Sequence, residues 1–356
     1  MYILFMELKN FLCSLSATLP RTAFVLYRKP HEQRISALTQ MAMNDHSRLS
    51  KKTFIFNPFQ GSVHKALEIS GKYHTFKTYT AKDFKQIYFP FQALKPCTYK
   101  DKQKADYAKL FEKAMQAIQN KTFEKVVLAQ VFVEHTPKGQ AHIFETFGNM
   151  LETYPSAFVY VLYHPTAGLW LGASPEPLLE LLPDKRIKTT ALAGTQLNSG
   201  AEPLWTDKEN QEHESVVSYI AHILQKSGVQ NIAKSQRYNS AYNKLWHLRT
   251  DFEGKLLSGY ADLLHSLHPT PAVCGFPTET SRDFILQEEG FDRSYYTGFL
   301  GEQTKTQAHF FVNLRCMQFF SDAVCFYAGG GVNAQSQLEN EWQELQNKMQ
   351  SVRGCV

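Results

Sequence analysis

The 356-residue chain lacks any long uninterrupted run of apolar residues. No segment approaches the ~18 consecutive apolar residues of a membrane-spanning helix. The apolar start, residues 1–12, is short and carries Glu7 without a basic flank ahead of it. We therefore expect neither a membrane partner nor a signal peptide. Met1 and Met6 are both candidate starts of the chain.

Metal-type cysteine motifs and basic tracts are also missing. The six cysteines show no Cys-x-x-Cys spacing and no histidines at zinc-binding distances. This pattern favours reduced thiols in a cytoplasmic protein over a zinc or disulfide scaffold. The net charge of +5 comes from scattered Lys and Arg residues. A nucleic-acid partner would need those charges on one face, so we do not expect one, whereas an anionic small molecule suits a mildly positive protein.

Internal repeats and low-complexity linkers are absent as well, and the remaining pattern mixes strands with helices. Apolar residues at helical spacing predict a helix over residues 99–120. Capping boxes at Thr206/Glu209 and Ser336/Glu339 predict the starts of two long helices. Runs of strands between such helices predict an α+β fold with largely antiparallel sheets. The predicted strands cover residues 23–27, 53–56, 125–133, 157–163, 169–172, 178–182, 310–320 and 323–328.

The most informative pattern is a Glu-x-x-Glu spacing that occurs twice. Glu209/Glu212 and Glu341/Glu344 each place two carboxylates on one face of a predicted helix. Two such faces brought together would form an oxygen-rich site of the kind that binds Mg²⁺. Ordinary explanations stand beside this one: Glu209 as part of a capping box, the other acids as solvent-facing charges, and Lys348 as an i, i+4 partner of Glu344.

Three charged residues have both a structural and a catalytic interpretation. Glu176, in a tight turn after a strand, is either an exposed turn acid or a general acid, which needs a desolvated position. Lys125 begins an apolar strand and either extends to solvent or is a desolvated base. Arg315, interpreted as part of an apolar strand with Asn313 on the same face, needs an internal acid or a substrate carboxylate as its partner.

Glycine turns and one proline-rich segment complete the candidates. Gly194 and Gly329–Gly331 could bring backbone N–H groups to a carboxylate, although tight turns require glycine in any case. His247 is either structural or part of a site. Residues 268–277 contain three prolines and a glycine, which predicts a rigid loop of the kind that lines sites.

Taken in order, these motifs resemble the chorismate-utilising enzymes, a family that includes isochorismate, salicylate, anthranilate and aminodeoxychorismate synthases. The resemblance covers roughly residues 100–353, and residues 268–277 together with the lysine at position 125 are similar to the water-using isochorismate and salicylate branch. Gln130 and Gly330 depart from the family's pattern. The matching segments are Lys125-Val-Val-Leu-Ala, Ser174-Pro-Glu, Ala193-Gly-Thr, Glu212-His, His247-Leu, Phe291-Asp-Arg-Ser-Tyr-Tyr-Thr-Gly, Leu314-Arg-Cys, Gly329-Gly-Gly-Val and Glu341-Trp-Gln-Glu.

The resemblance implies an isochorismate synthase that converts chorismate to isochorismate with Mg²⁺, for menaquinone or siderophore synthesis, with menaquinone preferred. Lys125 would deprotonate the water that attacks C2, and Glu176 would protonate the departing C4 hydroxyl. Glu212 and Glu344 would bind Mg²⁺ directly, with Glu209 and Glu341 beside them. The implied substrate-binding residues are Gly194, Thr195, His247, Thr270, Tyr296, Arg315, Gly329 and Lys348.

The resemblance also implies one α+β fold in which two largely antiparallel sheets pack together with helices outside. Residues 1–100 would form a variable N-terminal part and residues 101–356 the chorismate-binding catalytic region. No amidotransferase subunit is expected, and the chain is expected to be a monomer or a weak homodimer. Three alternatives stay open: salicylate synthase, which also eliminates pyruvate; more distantly, anthranilate or aminodeoxychorismate synthase, which would use ammonia and an amidotransferase partner; and a chorismate-binding protein without catalytic activity.

Overall fold

The computed structural model describes residues 7–19, 22–40, 51–87, 89–90, 94–101, 103–135, 142–198, 200–242 and 245–356. The choice between Met1 and Met6 as the start lies outside these ranges. Within them, no helix is long and apolar enough to cross a membrane. Apart from a 3-10 turn at Ala81–Phe84, the helices are α1 (Leu8–Thr18), α2 (Lys104–Gln119), α3 (Ile143–Thr153), α4 (Asp207–Lys226), α5 (Tyr260–Leu267), α6 (Thr278–Glu288) and α7 (Leu338–Arg353).

Strands make up most of the interior. They are β1 (Phe24–Arg28), β2 (Ile35–Gln40), β3 (Thr53–Asn57), β4 (Leu67–Phe76), β5 (Lys125–His135), β6 (Phe158–His164), β7 (Gly168–Ser174), β8 (Pro177–Leu181), β9 (Arg186–Leu197), β10 (Gln230–Lys234), β11 (Tyr238–Tyr242), β12 (Leu245–Lys255), β13 (Gly275–Phe276), β14 (Phe299–Gln303), β15 (Ala308–Val312), β16 (Cys316–Phe319) and β17 (Ala323–Asn333).

The strands in these ranges pair antiparallel and form two sheets. The first sheet has the order β13-β5-β17-β16-β7-β6-β1-β2-β4. The second has the order β4-β3-β14-β15-β8-β9-β12, and β12 also pairs with β10 and β11. Strand β4 belongs to both, because residues 71–76 pair with β2 and residues 67–70 pair with β3. The predicted α+β fold with largely antiparallel sheets is confirmed.

Three apolar clusters explain why the helices lie outside the sheets. Between the sheets, aromatic side chains such as Phe56, Trp170 and Phe311 form a layer without helix residues among its buried members. Helices α1, α2, α3 and α7 cover the outer face of the first sheet, and α4 and α5 cover the outer face of the second. Strands such as β6 are therefore buried on both faces, which accounts for their continuous apolar sequences.

One predicted strand is wrong in a way that matters for the site. Residues 310–320 do not form one strand: β15 ends at Val312 in the second sheet and β16 begins at Cys316 in the first. Between them Arg315 adopts a φ of 49°, and Asn313 accepts a hydrogen bond from the Tyr160 hydroxyl at 2.7 Å. Asn313 and Arg315 therefore do not share a strand face. The sequence hides this crossing because the apolar residues on both sides of it are buried alike.

The two predicted capping boxes have opposite outcomes. The Thr206/Glu209 box is present at the start of α4, where Glu209 Oε2 lies 2.9 Å from Thr206 N. The Ser336/Glu339 box is wrong, because α7 begins after Gln337 and the Ser336 hydroxyl accepts from Asn333 N at 3.1 Å. The predicted helix over residues 99–120 begins only at Lys104.

The strands that precede residue 100 share both sheets with later strands. β1 pairs with β6 in the first sheet, and β3 pairs with β14 in the second. The N-terminal part therefore contributes strands to the same two sheets, while a boundary at residue 100 stays a prediction.

Candidate active site

One cavity is lined by residues from both sheets, from the N-terminal half of α4 and from the middle of α7. It encloses about 740 Å³ of empty space including its opening. All of the predicted site residues line it except Glu209, Thr270 and Glu341. Those that do are Lys125, Glu176, Gly194, Thr195, Glu212, His247, Tyr296, Arg315, Gly329, Glu344 and Lys348.

The three exceptions lie close to the cavity. Glu209 and Glu341 line a wider cavity, of about 1060 Å³ including its opening, which shares Thr195, Glu344 and Lys348 with the first and forms its mouth. Thr270 is buried, and its carbonyl accepts hydrogen bonds from Val273 N and Cys274 N. Val273 does line the cavity. Thr270 thus shapes the proline-rich loop without lining the cavity itself.

Glu176 has the environment of a general acid. It follows β7, its side chain is buried, and its carbonyl accepts from Val312 N at 3.0 Å. Burial raises the pKa of its carboxyl to about 8, while the positive charges of Lys125 and Lys348 act in the opposite direction. At neutral pH the group is therefore protonated and able to donate a proton.

Lys125 begins β5 and is held by strands on both sides. Its backbone pairs with Phe276 of β13 and with Asn333 of β17, and its side chain is buried. A Cβ atom built on Gly331 would lie 2.7 Å from Lys125 Cε and 2.9 Å from Glu212 Oε1. The lysine and the acid therefore converge on one glycine, which leaves room for both.

The neighbouring glycines of β17 serve the same purpose. A Cβ atom on Gly329 would lie 2.9 Å from the Tyr296 hydroxyl, and one on Gly330 would lie 3.0 Å from Leu345 Cδ1 and 3.5 Å from Glu341 Oε2. The absence of side chains along residues 329–331 thus lets functional groups approach the strand backbone from several directions.

His247 and Arg315 provide polar groups of different charge. His247 Nδ1 donates to Gly194 O at 3.0 Å, while Nε2 is buried without a hydrogen-bond partner among the described residues. Burial, helped by the charge of Arg315, lowers the pKa of His247 to about 3, so the ring is neutral and Nε2 can accept a hydrogen bond. Burial also lowers the pKa of Arg315, an unfavourable position for a cation that an anionic ligand would relieve.

The acidic residues differ in how far their oxygens are satisfied. Glu209 is engaged in the α4 capping box, and Glu344 Oε1 lies 2.5 Å from Lys348 Nζ, the ordinary i, i+4 ion pair. Glu212 Oε1 and Glu341 Oε2 are buried and have no hydrogen-bond partner within the described ranges. Buried carboxylate oxygens without donors are what a hard cation such as Mg²⁺ would satisfy.

The side chains are not arranged as a closed cage, however. In the described part of the chain, no three His, Cys, Asp or Glu side chains are grouped closely enough to hold a metal ion. Lys208 contacts Glu341 and Lys348 contacts Glu344, so ammonium groups engage two of the predicted ligands. These carboxylate oxygens suit Mg²⁺, but Glu341 and Glu344 would first have to give up their ion pairs with Lys208 and Lys348.

Two contributors were missed by the sequence interpretation. Lys208 lies four residues before Glu212 in α4, and that i, i+4 spacing was the available signal. Arg293 forms a buried ion pair with Glu289 and donates hydrogen bonds to Val127 O and Val273 O. Val127 and Val273 both line the cavity. The motif of Arg293 was noticed, but its structural role depends on contacts between distant segments.

Comparison with known proteins identifies the family. The sequence profile of the chorismate binding enzyme family matches residues 42–355. The chain therefore belongs to this family.

Two isochorismate synthases of Escherichia coli strain K12 are among its relatives. The chain is 31% identical to MenF over 264 residues, 70% of this chain and 60% of MenF. It is 28% identical to EntC over 241 residues, 64% of this chain and 61% of EntC. The chain thus spans less than two thirds of each relative's length. The solved structure of MenF, the menaquinone-specific isochorismate synthase from E. coli, matches with a TM-score of 0.77 at 24% identity and covers 97% of this chain and 90% of that one.

Proposed function

We propose that this protein is a Mg²⁺-dependent isochorismate synthase, which converts chorismate to isochorismate. The observation that carries the proposal is that one cavity contains a buried lysine, Lys125, and a buried acid, Glu176, whose pKa is raised to about 8. Exchange of a hydroxyl on a ring needs both a base and an acid, because water is a weak nucleophile and hydroxide a poor leaving group. Family membership and the identity to MenF and EntC support the same activity.

In the proposed reaction, Lys125 takes a proton from a water molecule as the water oxygen bonds to C2 of chorismate. The two ring double bonds shift, and the C4–O bond breaks as Glu176 gives its proton to the departing hydroxyl. One water enters and one leaves, so the product is an isomer of the substrate. Each proton transfer contributes roughly 10²–10⁴-fold to the rate. The proton then returns from Lys125 to Glu176 through solvent, which resets the site.

The remaining residues bind and orient the substrate in this proposal. Arg315, Tyr296 and Lys348 receive its anionic ends, and His247 Nε2 accepts a hydrogen bond from a hydroxyl. Lys348 must exchange its present contacts with Glu344 and with Gly329 O, at 2.8 Å, for the substrate. Positioning of this kind supplies part of the rate enhancement because it removes the need to collect reactants from solution.

Glu212 and Glu344 would hold the metal, with Glu341 and Glu209 beside them. When bound, Mg²⁺ would supply a positive charge that holds the ring carboxylate of the substrate. The buried oxygen of Glu212 that lacks a donor supports its place as a direct ligand, and the unpartnered oxygen of Glu341 supports a place beside it, whereas Glu344 is proposed from the family resemblance.

We also propose that the enzyme acts in the cytoplasm, in menaquinone synthesis, as a monomer or weak homodimer without an amidotransferase subunit. The identity to MenF supports the pathway. Deletion of the gene should then lower cellular menaquinone, and a loss of catechol siderophore with normal menaquinone would place the enzyme in the other pathway.

Product analysis tests the activity. Purified protein is incubated with chorismate and MgCl₂, and the products are separated by chromatography; isochorismate is expected, and EDTA should abolish its formation. Salicylate with pyruvate would identify a salicylate synthase, and an ammonia-dependent product would identify the anthranilate branch. If the wild type and the Lys125→Ala variant bind chorismate equally well and neither converts it, the protein is a non-catalytic chorismate-binding protein.

A further inference from the structure

The first turn of α4 carries a lysine that faces the acids of α7. Lys208 Nζ lies 2.5 Å from Glu341 Oε1, and the Glu341 side chain is 1% exposed. Lys208 is also four residues before Glu212, so both lie on the same face of α4. A lysine side chain is ordinarily positively charged at physiological pH, so this contact sets an ammonium group against the Glu341 carboxylate.

A second lysine–glutamate pair on the same turn of α7 shows what is unusual about Lys208. Lys104 Nζ lies 2.5 Å from Glu339 Oε2, but the two side chains are 44% and 73% exposed. Solvent screens that pair, which makes its contribution small. The pair of Lys208 with Glu341 is withdrawn from solvent at the mouth of the active site, where charges interact strongly.

The Lys208 ammonium leaves part of the acidic cluster unsatisfied. It engages Glu341 Oε1, while Glu341 Oε2 and Glu212 Oε1 have no hydrogen-bond partner among the described residues. A divalent cation would satisfy such oxygens, but its charge would repel an ammonium group held between the same acids. Lys208 and a metal ion therefore require the same carboxylates and cannot both occupy them favourably.

We propose that Lys208 competes with the divalent cation for Glu341, so that this lysine sets the metal affinity and metal entry releases it from Glu341. The inference rests on the proposed function, because the metal belongs to that proposal. Lys208 is then a positioning residue, which holds the acids in place while the metal is absent and withdraws when it binds.

Metal binding without substrate tests the competition. Mn²⁺ accepts the same oxygen ligands as Mg²⁺. It is titrated into the protein, and the electron paramagnetic resonance signal of the ion that stays free in solution is recorded. Lys208→Gln should bind Mn²⁺ about tenfold more tightly than the wild type, because a repelling charge has been removed from a partly buried site. Lys208→Arg retains the charge and should bind like the wild type. Lys104→Gln, the matched exposed pair, should also leave the affinity unchanged, and Glu344→Gln should weaken it.

The outcomes separate this inference from the proposed function. Suppose that the wild type converts chorismate but Lys208→Gln binds Mn²⁺ no more tightly than the wild type does. The competition is then refuted, while the proposed function stands. If the wild type neither binds the ion nor converts chorismate, both fail. If Lys208→Gln is unfolded without metal, the competition requires that Mg²⁺ refold it, as followed by circular dichroism; a variant that stays unfolded in excess Mg²⁺ overturns the proposal.

Discussion

Two ion pairs in this protein, one buried and one half-buried, differ in how completely they are satisfied. Arg293 donates to both oxygens of Glu289 and to the carbonyls of Val127 and Val273, and Glu289 also accepts from Ala129 N at 2.9 Å. Every polar atom of that pair has a partner inside the protein. At the mouth of the cavity, by contrast, Lys208 engages one oxygen of Glu341 and leaves the other without a donor among the described residues.

The difference distinguishes an ion pair that holds the fold together from one that, in the proposed function, would take part in metal binding. The satisfied pair joins the end of α6 to β5 and to the loop before β13, so it fixes the strand that carries Lys125. A buried oxygen without a donor destabilises the free protein and is relieved by a ligand. Variants of the first kind should therefore change stability, and variants of the second kind should change activity or binding.

The largest effect is expected for the acid itself. Glu176→Gln should lower kcat about 10³-fold, because the amide cannot donate the proton that the leaving hydroxyl requires. Its melting temperature should not fall, since the amide is neutral like the protonated acid that it replaces. Glu180→Gln, a half-buried acid four residues further along, is the control and should retain activity. Equal kcat values for both variants would remove Glu176 from the mechanism.

The satisfied ion pair should respond in stability. Arg293→Met should lower the free energy of unfolding by about 3–5 kcal/mol, because it leaves the Glu289 carboxylate buried without its counter-charge. Arg353→Met removes an exposed pair with Glu134, whose atoms lie 2.8 Å apart, and should change stability by less than about 1 kcal/mol. Urea unfolding of both variants measures the difference, and similar losses would contradict the distinction between the two kinds of charge.

The smallest effect is a change in pH dependence. Because Glu176 must be protonated to act, kcat/KM should fall as the pH rises through about 8, the raised pKa of this group in the free protein. The same shift affects stability: between the ordinary pKa of 4.5 and about 8, the unfolded chain releases the proton that the folded protein keeps, so stability falls with rising pH. Thermal melts of Glu176→Gln should lack this component. A wild-type rate that rises through pH 8 would contradict the acid role.

The sequence predicted which residues meet in the cavity better than it predicted the path of the backbone. Glu212, Glu344, Lys125 and Glu176 could be proposed together because the motifs around them resemble a family, and the structure brings all four to one cavity. The break at Arg315 could not be predicted, since a non-glycine residue with positive φ has no signature inside an apolar run. The engagement of Lys208 with Glu341 was also missed, because it depends on how α4 and α7 approach each other across two sheets.

The crossing between β15 and β16 has a consequence for how this protein can evolve. Residues 313–315 tie the two sheets together covalently beside the cavity, and β4 forms a second tie. If sheets joined in this way moved apart to make room for a bulkier molecule, Arg315 would be displaced from the wall of the cavity. Adaptation to a new substrate is therefore easier through substitutions in α4 and α7 at the mouth than through any change in the spacing of the sheets.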